Sequence, residues 1–188
     1  PTTFDPRMGR DLISLNISHQ LFSSLFRVDR QGNIVNDLCS ELLKDDEHNY
    51  TIRLKEAFWS DGKPVTSYDF RYSWLSTLAP NHLSPHASDL FIIQGAKEFH
   101  EGKGPESAVQ IRIINETEFQ LRLEAPCPYL KSLLATPGLA CVPAYFDEHI
   151  ASWKKPFSIP ISGPYYVSEY IPKSKVTLSK NVNYHNAK

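Results

Sequence analysis

Several absences narrow what this 188-residue chain can be. Cysteine is scarce: Cys39, Cys127 and Cys141 are widely spaced, and none belongs to a Cys-x-x-Cys pair. Neither a zinc site nor a thioredoxin-like motif is therefore indicated. One disulfide with a spare thiol and three buried free thiols both fit the spacing. Excess charge is missing as well. Twenty Lys and Arg against 21 Asp and Glu give a net charge of -1, so no basic field exists to hold a phosphate backbone, and nucleic acid is not an expected partner. No apolar run approaches the ~20 residues a membrane-spanning helix needs. The chain opens at Pro1-Thr2-Thr3-Phe4-Asp5-Pro6, without the charged and apolar regions of a secretory leader. That opening suits either a cytoplasmic protein or one whose start has been removed. Internal repeats and low-complexity tracts are not seen.

Catalytic signatures are missing too. There is no nucleophile elbow, phosphate-binding loop or dinucleotide fingerprint. Gly102-Lys103-Gly104 lacks the preceding strand and following helix of a phosphate cradle. His82 and His86 have a metal-like spacing, but Pro85 suits the first position of a helix, which leaves His82 outside it. Asp45-Asp46-Glu47-His48 lacks the further oxygen donors and the glycine of a calcium loop, and reads as a solvated turn. Asp147, Glu148 and His149 are expected on the exposed face of a helix. The expectation is a protein with no metal, no cofactor and no catalytic apparatus.

What is present is aromatic: three Trp, nine Tyr and ten Phe, enough for a packed core in one substantial domain or two small ones. Residues 10–26 carry a broad apolar stripe (Leu15, Ile17, Leu21, Phe22, Leu25, Phe26) and predict a helix. Residues 29–33 read as a polar turn, 38–43 as a short apolar piece and 50–54 as an alternating strand. Ser84-Pro85 predicts a helix running to Gly102, weakened by Gly95. Residues 109–113 and 119–123 predict a hairpin closed at Asn115-Glu116; 129–134 and 144–153 predict helices; Tyr165-Tyr166-Val167 and Val176-Thr177-Leu178 predict strands. Local hairpins mixed with helices favour an α+β fold, or a mixed sheet, over a regular βαβ array.

The stretch Phe58-Trp59-Ser60-Asp61-Gly62-Lys63-Pro64-Val65-Thr66-Ser67-Tyr68-Asp69-Phe70 is the most distinctive. Thr66 and Asp69 have the spacing of a capping box, and Phe70, Trp74 and Leu78 follow on one helical face. A bare hairpin turn would not need a Trp before Asp-Gly and a rigid Pro-Val after it. Phe58, Trp59 and Tyr72 are expected mainly as core.

Taken in order, Phe4-Asp5-Pro6, Leu21-Phe22, Leu25-Phe26, Asp29-x-x-Gly32, Tyr50-Thr51-Ile52-Arg53-Leu54-Lys55, Trp59-Ser60-Asp61-Gly62 through Tyr72-Ser73-Trp74, Ser84-Pro85-x-Ala87, Pro126-x-Pro128-Tyr129, Ser162-Gly163-Pro164-Tyr165 and Lys180-Asn181-x-Asn183-Tyr184 form one pattern. Over essentially its whole length the chain resembles the N-terminal part of the extracytoplasmic oligopeptide-binding proteins of solute-binding family 5, the substrate-capturing subunits of ABC peptide importers. The resemblance implies part of a two-lobed periplasmic binding protein fold. Residues 1–28 would start the first lobe, 29–152 would form a smaller inserted domain, and 153–188 would return to the first lobe. The second lobe would lie outside this chain.

The same resemblance implies a short peptide as ligand and membrane permease subunits as partners, on the periplasmic or extracellular side of the cell envelope, with a lipid anchor as one arrangement. Relatives specialised for nickel, haem or a modified small peptide are the alternative, and an enzyme with a cryptic site a more distant one. Gly9, Arg10 and Leu12, in the loop after Asp5-Pro6, and His86, after Ser84-Pro85, correspond to positions near the ligand. Two of them depart from the family: His86 stands where some relatives carry Tyr, and Arg10 where some carry an acid. Trp59 and Asp61 are expected as scaffold. The flanking first-lobe segments, short of sheet partners, would invite dimerisation of this piece.

Overall fold

The computed structural model describes residues 1–147, 153 and 155–186. Its first half contains α1 (Leu12–Leu21), β1 (Phe26–Val28), β2 (Ile34–Asn36), β3 (Cys39–Lys44), β4 (Asn49–Leu54) and α2 (Ser67–Leu78). Its second half contains α3 (Ala96–His100), β5 (Ile111–Asn115), β6 (Glu118–Arg122), α4 (Leu130–Leu133), β7 (Tyr165–Ile171) and β8 (Lys175–Lys180). The mixed α/β class is as expected. One antiparallel sheet has the order β3-β4-β6-β5, and the β1-β2 and β7-β8 hairpins are separate two-stranded sheets.

Period-two alternation builds the main sheet. Tyr50, Ile52 and Leu54 of β4 are buried beside Phe119 and Leu121 of β6 and Ile111 of β5. On the other face Arg53 reaches Glu41 (2.6 Å) and Glu118 (2.9 Å) across both neighbouring strands. α2 covers the apolar face. Phe70 stacks on Phe119 at 5.8 Å, and Trp74 stands edge-on to both. The predicted capping box is present, with the Thr66 amide donating to Asp69 Oδ2 at 2.9 Å.

The Trp-Ser-Asp-Gly stretch is scaffold. Trp59 is fully buried and its indole donates to Asp69 (3.4 Å), which also accepts the Ala144 amide (3.0 Å). The Ser60 amide donates to Ile161 O at 2.9 Å, so the turn fastens to the late part of the chain. Outside, Tyr145 donates to Asp61 (2.7 Å) while Lys63 sits over the Tyr145 ring. The two late motifs meet in the same way. Asn181 Nδ2 donates to Gly163 O at 2.9 Å, and Tyr184 OH reaches Asp37 at 3.1 Å. All three cysteines are free and buried.

Three expectations need correction. The helix predicted over 10–26 ends at Leu21, because the Ser162 and Gly163 amides take the Leu21 carbonyl and Phe26 enters β1. That hairpin, β1-β2, was not predicted beyond its turn. The helix predicted from Ser84 to Gly102 is broken into a 3-10 turn at Ala87–Leu90 and the short α3. Between them the backbone is diverted to sheet-like bonding: Gln94 N donates to Arg122 O, and Glu124 N to Ile92 O. Asp147, expected on an exposed helical face, is largely covered, with its side chain 9% exposed; Glu148, His149 and the rest of that predicted helix to residue 152 lie outside the described residues.

Gly95 is the device that permits this break. Its φ is +79°, and a Cβ there would overlap the Ala108 carbonyl. Gly62 has φ +88° but open space around it. Gly62→Ala is therefore expected to cost only the left-handed strain, about 1–2 kcal/mol, and Gly95→Ala about 3 kcal/mol, as overlap adds to strain. Denaturant unfolding of both variants checks this; equal losses would show that the Ala108 contact does not matter.

Candidate functional site

The candidate site begins at the Phe4-Asp5-Pro6 motif. Phe4 is buried edge-on against Tyr170 at 5.1 Å. Asp5 caps a single 3-10 turn, Pro6–Met8, and accepts the Arg7 amide at 2.9 Å. The Arg7 side chain folds back on the same carboxylate, with Nε on Oδ1 (3.0 Å) and a terminal nitrogen on Oδ2 (2.8 Å). Its other terminal nitrogen donates to Ser76 Oγ on α2 (2.7 Å) and to Asp147 Oδ2 (2.6 Å). Asp147 also accepts from Tyr72 OH (2.9 Å) and Trp153 Nε1 (2.6 Å). Arg7 is 1% exposed, so this is a buried charge held by the buried Asp5 and the largely covered Asp147.

On its backbone side, the same residue meets the segment before the 3-10 turn at Ala87. Arg7 O accepts from Ser84 Oγ at 2.6 Å, and that hydroxyl accepts the His86 amide at 3.1 Å. Ser84 thus closes a short side-chain turn instead of capping a long helix. His86 Nε2 lies 2.9 Å from Gly9 O. A carbonyl only accepts, so Nε2 carries the proton. Nδ1 then faces Asp89 at 3.6 Å. The imidazole rests on Gly138, where any Cβ would collide with the ring. Arg10 donates to Leu83 O at 3.0 Å, and Leu83 has a left-handed φ of 55° that is unusual for leucine.

The structure therefore brings together Gly9, Arg10 and His86 of the predicted site. Leu12 lies nearby in sequence at the start of α1 and is 73% exposed, with Ile13 (61%) beside it and Leu83 (68%) across the Arg10 bond. His86 itself is mostly covered, with a side chain 12% exposed. It supports the loop more than it presents itself. Sequence reasoning missed Arg7, Ser84 and Asp147. The Ser84-x-His86 spacing was a usable signal for Ser84; nothing local marks Asp147.

A cavity of about 890 Å³ lies beside this cluster, lined by Phe4, Arg7, Tyr72, His82, Trp153 and Tyr170 among others. None of the four predicted residues lines it. Three of its lining residues, Asp5, Arg7 and Asp147, are paired with one another. His82, whose Nδ1 is buried without a partner among the described residues, has its pKa lowered by burial and then by the Arg7 charge. His82 and His86 do not share a site, and no cluster of three or more metal-ligating side chains occurs among the described residues.

The pKa directions follow the geometry. Burial opposes the Asp147 charge, but the Arg7 hydrogen bond and charge, with help from Trp153 and Tyr72, outweigh it and hold the carboxyl below its usual 3.8. Ionised Asp147 thus stabilises the fold above that pH, and the contribution is lost as pH falls through the lowered folded value. Asp147→Asn should cost on the order of 3 kcal/mol at neutral pH. The difference from the parent should shrink below pH ~4. Unfolding midpoints at several pH values test this; a pH-independent difference would rule out the ion pair as its source.

The chain matches a family model described as the middle region of bacterial extracellular solute-binding proteins, family 5, over residues 33–188. It is 32% identical to the periplasmic oligopeptide-binding protein OppA of Escherichia coli K12, over 98% of this chain and 35% of that protein. It is 28% identical to the periplasmic murein peptide-binding protein MppA of the same organism, over 98% and 35%. The crystal structure of Haemophilus influenzae OppA in complex with the peptide RPPGFSPFR superposes with a TM-score of 0.94 at 25% identity, covering all of this chain and 37% of that one. The chain thus spans about a third of the length of these relatives and corresponds to part of their two-lobed structure. It belongs to the bacterial extracellular solute-binding proteins, family 5.

Proposed function

We propose that this chain is part of a substrate-binding subunit of an ABC importer that captures short peptides outside the cytoplasmic membrane. The observation that carries the reading is the superposition on a relative solved with a bound peptide, joined to a loop, Gly9-Arg10, that is held in one conformation by its own bonds to Leu83 and His86. Membrane permease subunits are the partners, and binding is the whole activity, without catalysis. A lipid anchor is compatible with this placement. The resemblance to a murein peptide binder favours one alternative, a modified small peptide as ligand.

The proposed division assigns residues 1–28 and 153–188 to a first lobe and 29–152 to an inserted domain. The independent β3-β4-β6-β5 sheet, which lies wholly within the middle segment, supports it. The β7-β8 hairpin has only two strands and half-buried residues at Val176, Thr177 and Leu178. A two-stranded sheet is marginal alone, which supports completion of that lobe by further chain, or dimerisation of this piece through the same surface.

Ligand-facing roles go to Gly9, Arg10 and Leu12, with His86 behind them. Arg10 is exposed, and its bond to Leu83 O uses one guanidinium nitrogen, Nη2. Calorimetry of the full-length protein against peptide pools and divalent metals tests the ligand class; heat from metals alone would overturn the peptide reading. Arg10→Glu should reverse the preference between peptides carrying an acidic and a basic side chain near this loop, by roughly tenfold at low salt. An unchanged preference removes Arg10 from the site. Residues 1–188 alone should bind far more weakly than the complete protein. Roughly half the enclosing surface is lost, while association costs of roughly 4–15 kcal/mol remain. Equal micromolar affinity for both would show that this portion carries the entire site.

A further inference from the structure

We infer that Arg7, locked by Asp5 and Asp147, is the positioning residue that sets the Gly9-Arg10 loop and His86 in place. The inference rests on the reading of that loop as ligand-facing and goes beyond it, because Arg7 and Asp147 touch none of the proposed ligand-facing side chains.

The path is continuous. Four side-chain hydrogen bonds, two to Asp5 and one each to Ser76 and Asp147, fix the guanidinium fork. The backbone of the same residue sits in a three-residue 3-10 turn, so fixing the side chain fixes the carbonyl. That carbonyl accepts a hydrogen bond from the Ser84 hydroxyl, which orients the Ser84 oxygen to accept the His86 amide. His86 then returns to the loop two residues beyond Arg7, through Nε2–H to Gly9 O. The result is a closed ring of bonds: Arg7 carbonyl, Ser84 hydroxyl, His86 backbone, His86 imidazole, Gly9 carbonyl. One edge of the ring is fastened to α2 and to Asp147 and Trp153. Its opposite edge carries Arg10, bonded to Leu83.

Lysine cannot replace arginine here, because an ammonium lacks the planar fork that binds a carboxylate with two bonds while reaching two further acceptors. Loss of the Asp147 charge frees one arm of the fork. Loss of the Ser84 hydroxyl opens the ring without touching the charges. Each change loosens the same loop from a different point.

The test uses the full-length protein with 15N-labelled histidine. The His86 Nε2–H resonance is identified by its disappearance in His86→Gln. Arg7→Lys, Asp147→Asn and Ser84→Ala should each shift or broaden that resonance and weaken binding of trialanine at least fivefold, measured well below the unfolding midpoint. Tyr184→Phe, which removes a half-buried hydroxyl from the remote Asp37 cluster, should lower stability and leave both readouts unchanged. Ser84→Ala carries the test if Arg7→Lys does not fold. An unmoved resonance in the variants, or an equal change in Tyr184→Phe, overturns the inference. A moved resonance with unchanged trialanine affinity keeps Arg7 as a positioning residue and overturns the ligand-facing role of the loop. If the unaltered protein takes up no trialanine, peptide capture fails for that probe, and the resonance alone decides the role of Arg7.

Discussion

A single buried charge organises the first segment of this protein. Arg7 has almost no solvent contact, and an isolated guanidinium in that position would carry a desolvation cost of several kcal/mol. Burial pushes against its protonation, yet the hydrogen bonds and charges of Asp5 and Asp147 outweigh it and hold the group ionised. The pairing is therefore a requirement, and it dictates geometry. Asp5 lies two residues away and comes with the local turn. Asp147 lies 140 residues away and can reach Arg7 only if the intervening sheet and α2 are in place. The turn at the start of the chain is thus committed to one position on the folded body.

Much of the main sheet was legible because its signals are local. Alternation in residues 50–54 and 119–123, the capping box at Thr66 and Asp69, and the Phe70-Trp74-Leu78 face each need only a short window, and each is found as expected. What could not be read depends on residues distant in sequence. The apolar stripe of 10–26 is helical in period throughout, but the carbonyl of Leu21 is taken by amides of residues 162 and 163. The run after Ser84 looks helical until residues 92–94 bond to residues 122–124. In both places tertiary backbone bonding overrides local propensity.

The candidate site shows the same split. Gly9, Arg10 and His86 were reached through a resemblance, and the structure adds why they stand together: a hydroxyl, an imidazole and two carbonyls close a ring. His86 was expected near the ligand, and its ring is packed over Gly138 with Nε2–H donating to Gly9 O. The exposed groups are Arg10, Leu12, Ile13 and Leu83, a cation beside three apolar side chains.

Three largely covered aspartate clusters do what the core cannot. Hydrophobic burial is non-directional, so the packing of Phe70, Trp74 and Phe119 alone would tolerate several placements of the distant segments. Asp147 accepts from Arg7, Tyr72 and Trp153; Asp69 from Trp59, Thr66 and Ala144; Asp37 from Tyr184, His185 and Asn186. Each cluster joins parts of the chain at least 75 residues apart. A misplaced segment would leave a buried carboxylate without its donors, at about 3–5 kcal/mol, a large share of a domain's net stability of about 5–15 kcal/mol. The aromatic core supplies the drive to collapse, and the aspartates select which collapsed arrangement survives. In the sequence, two of these residues look like a cap and a surface helix residue, because their selecting role exists only once the far segments have arrived.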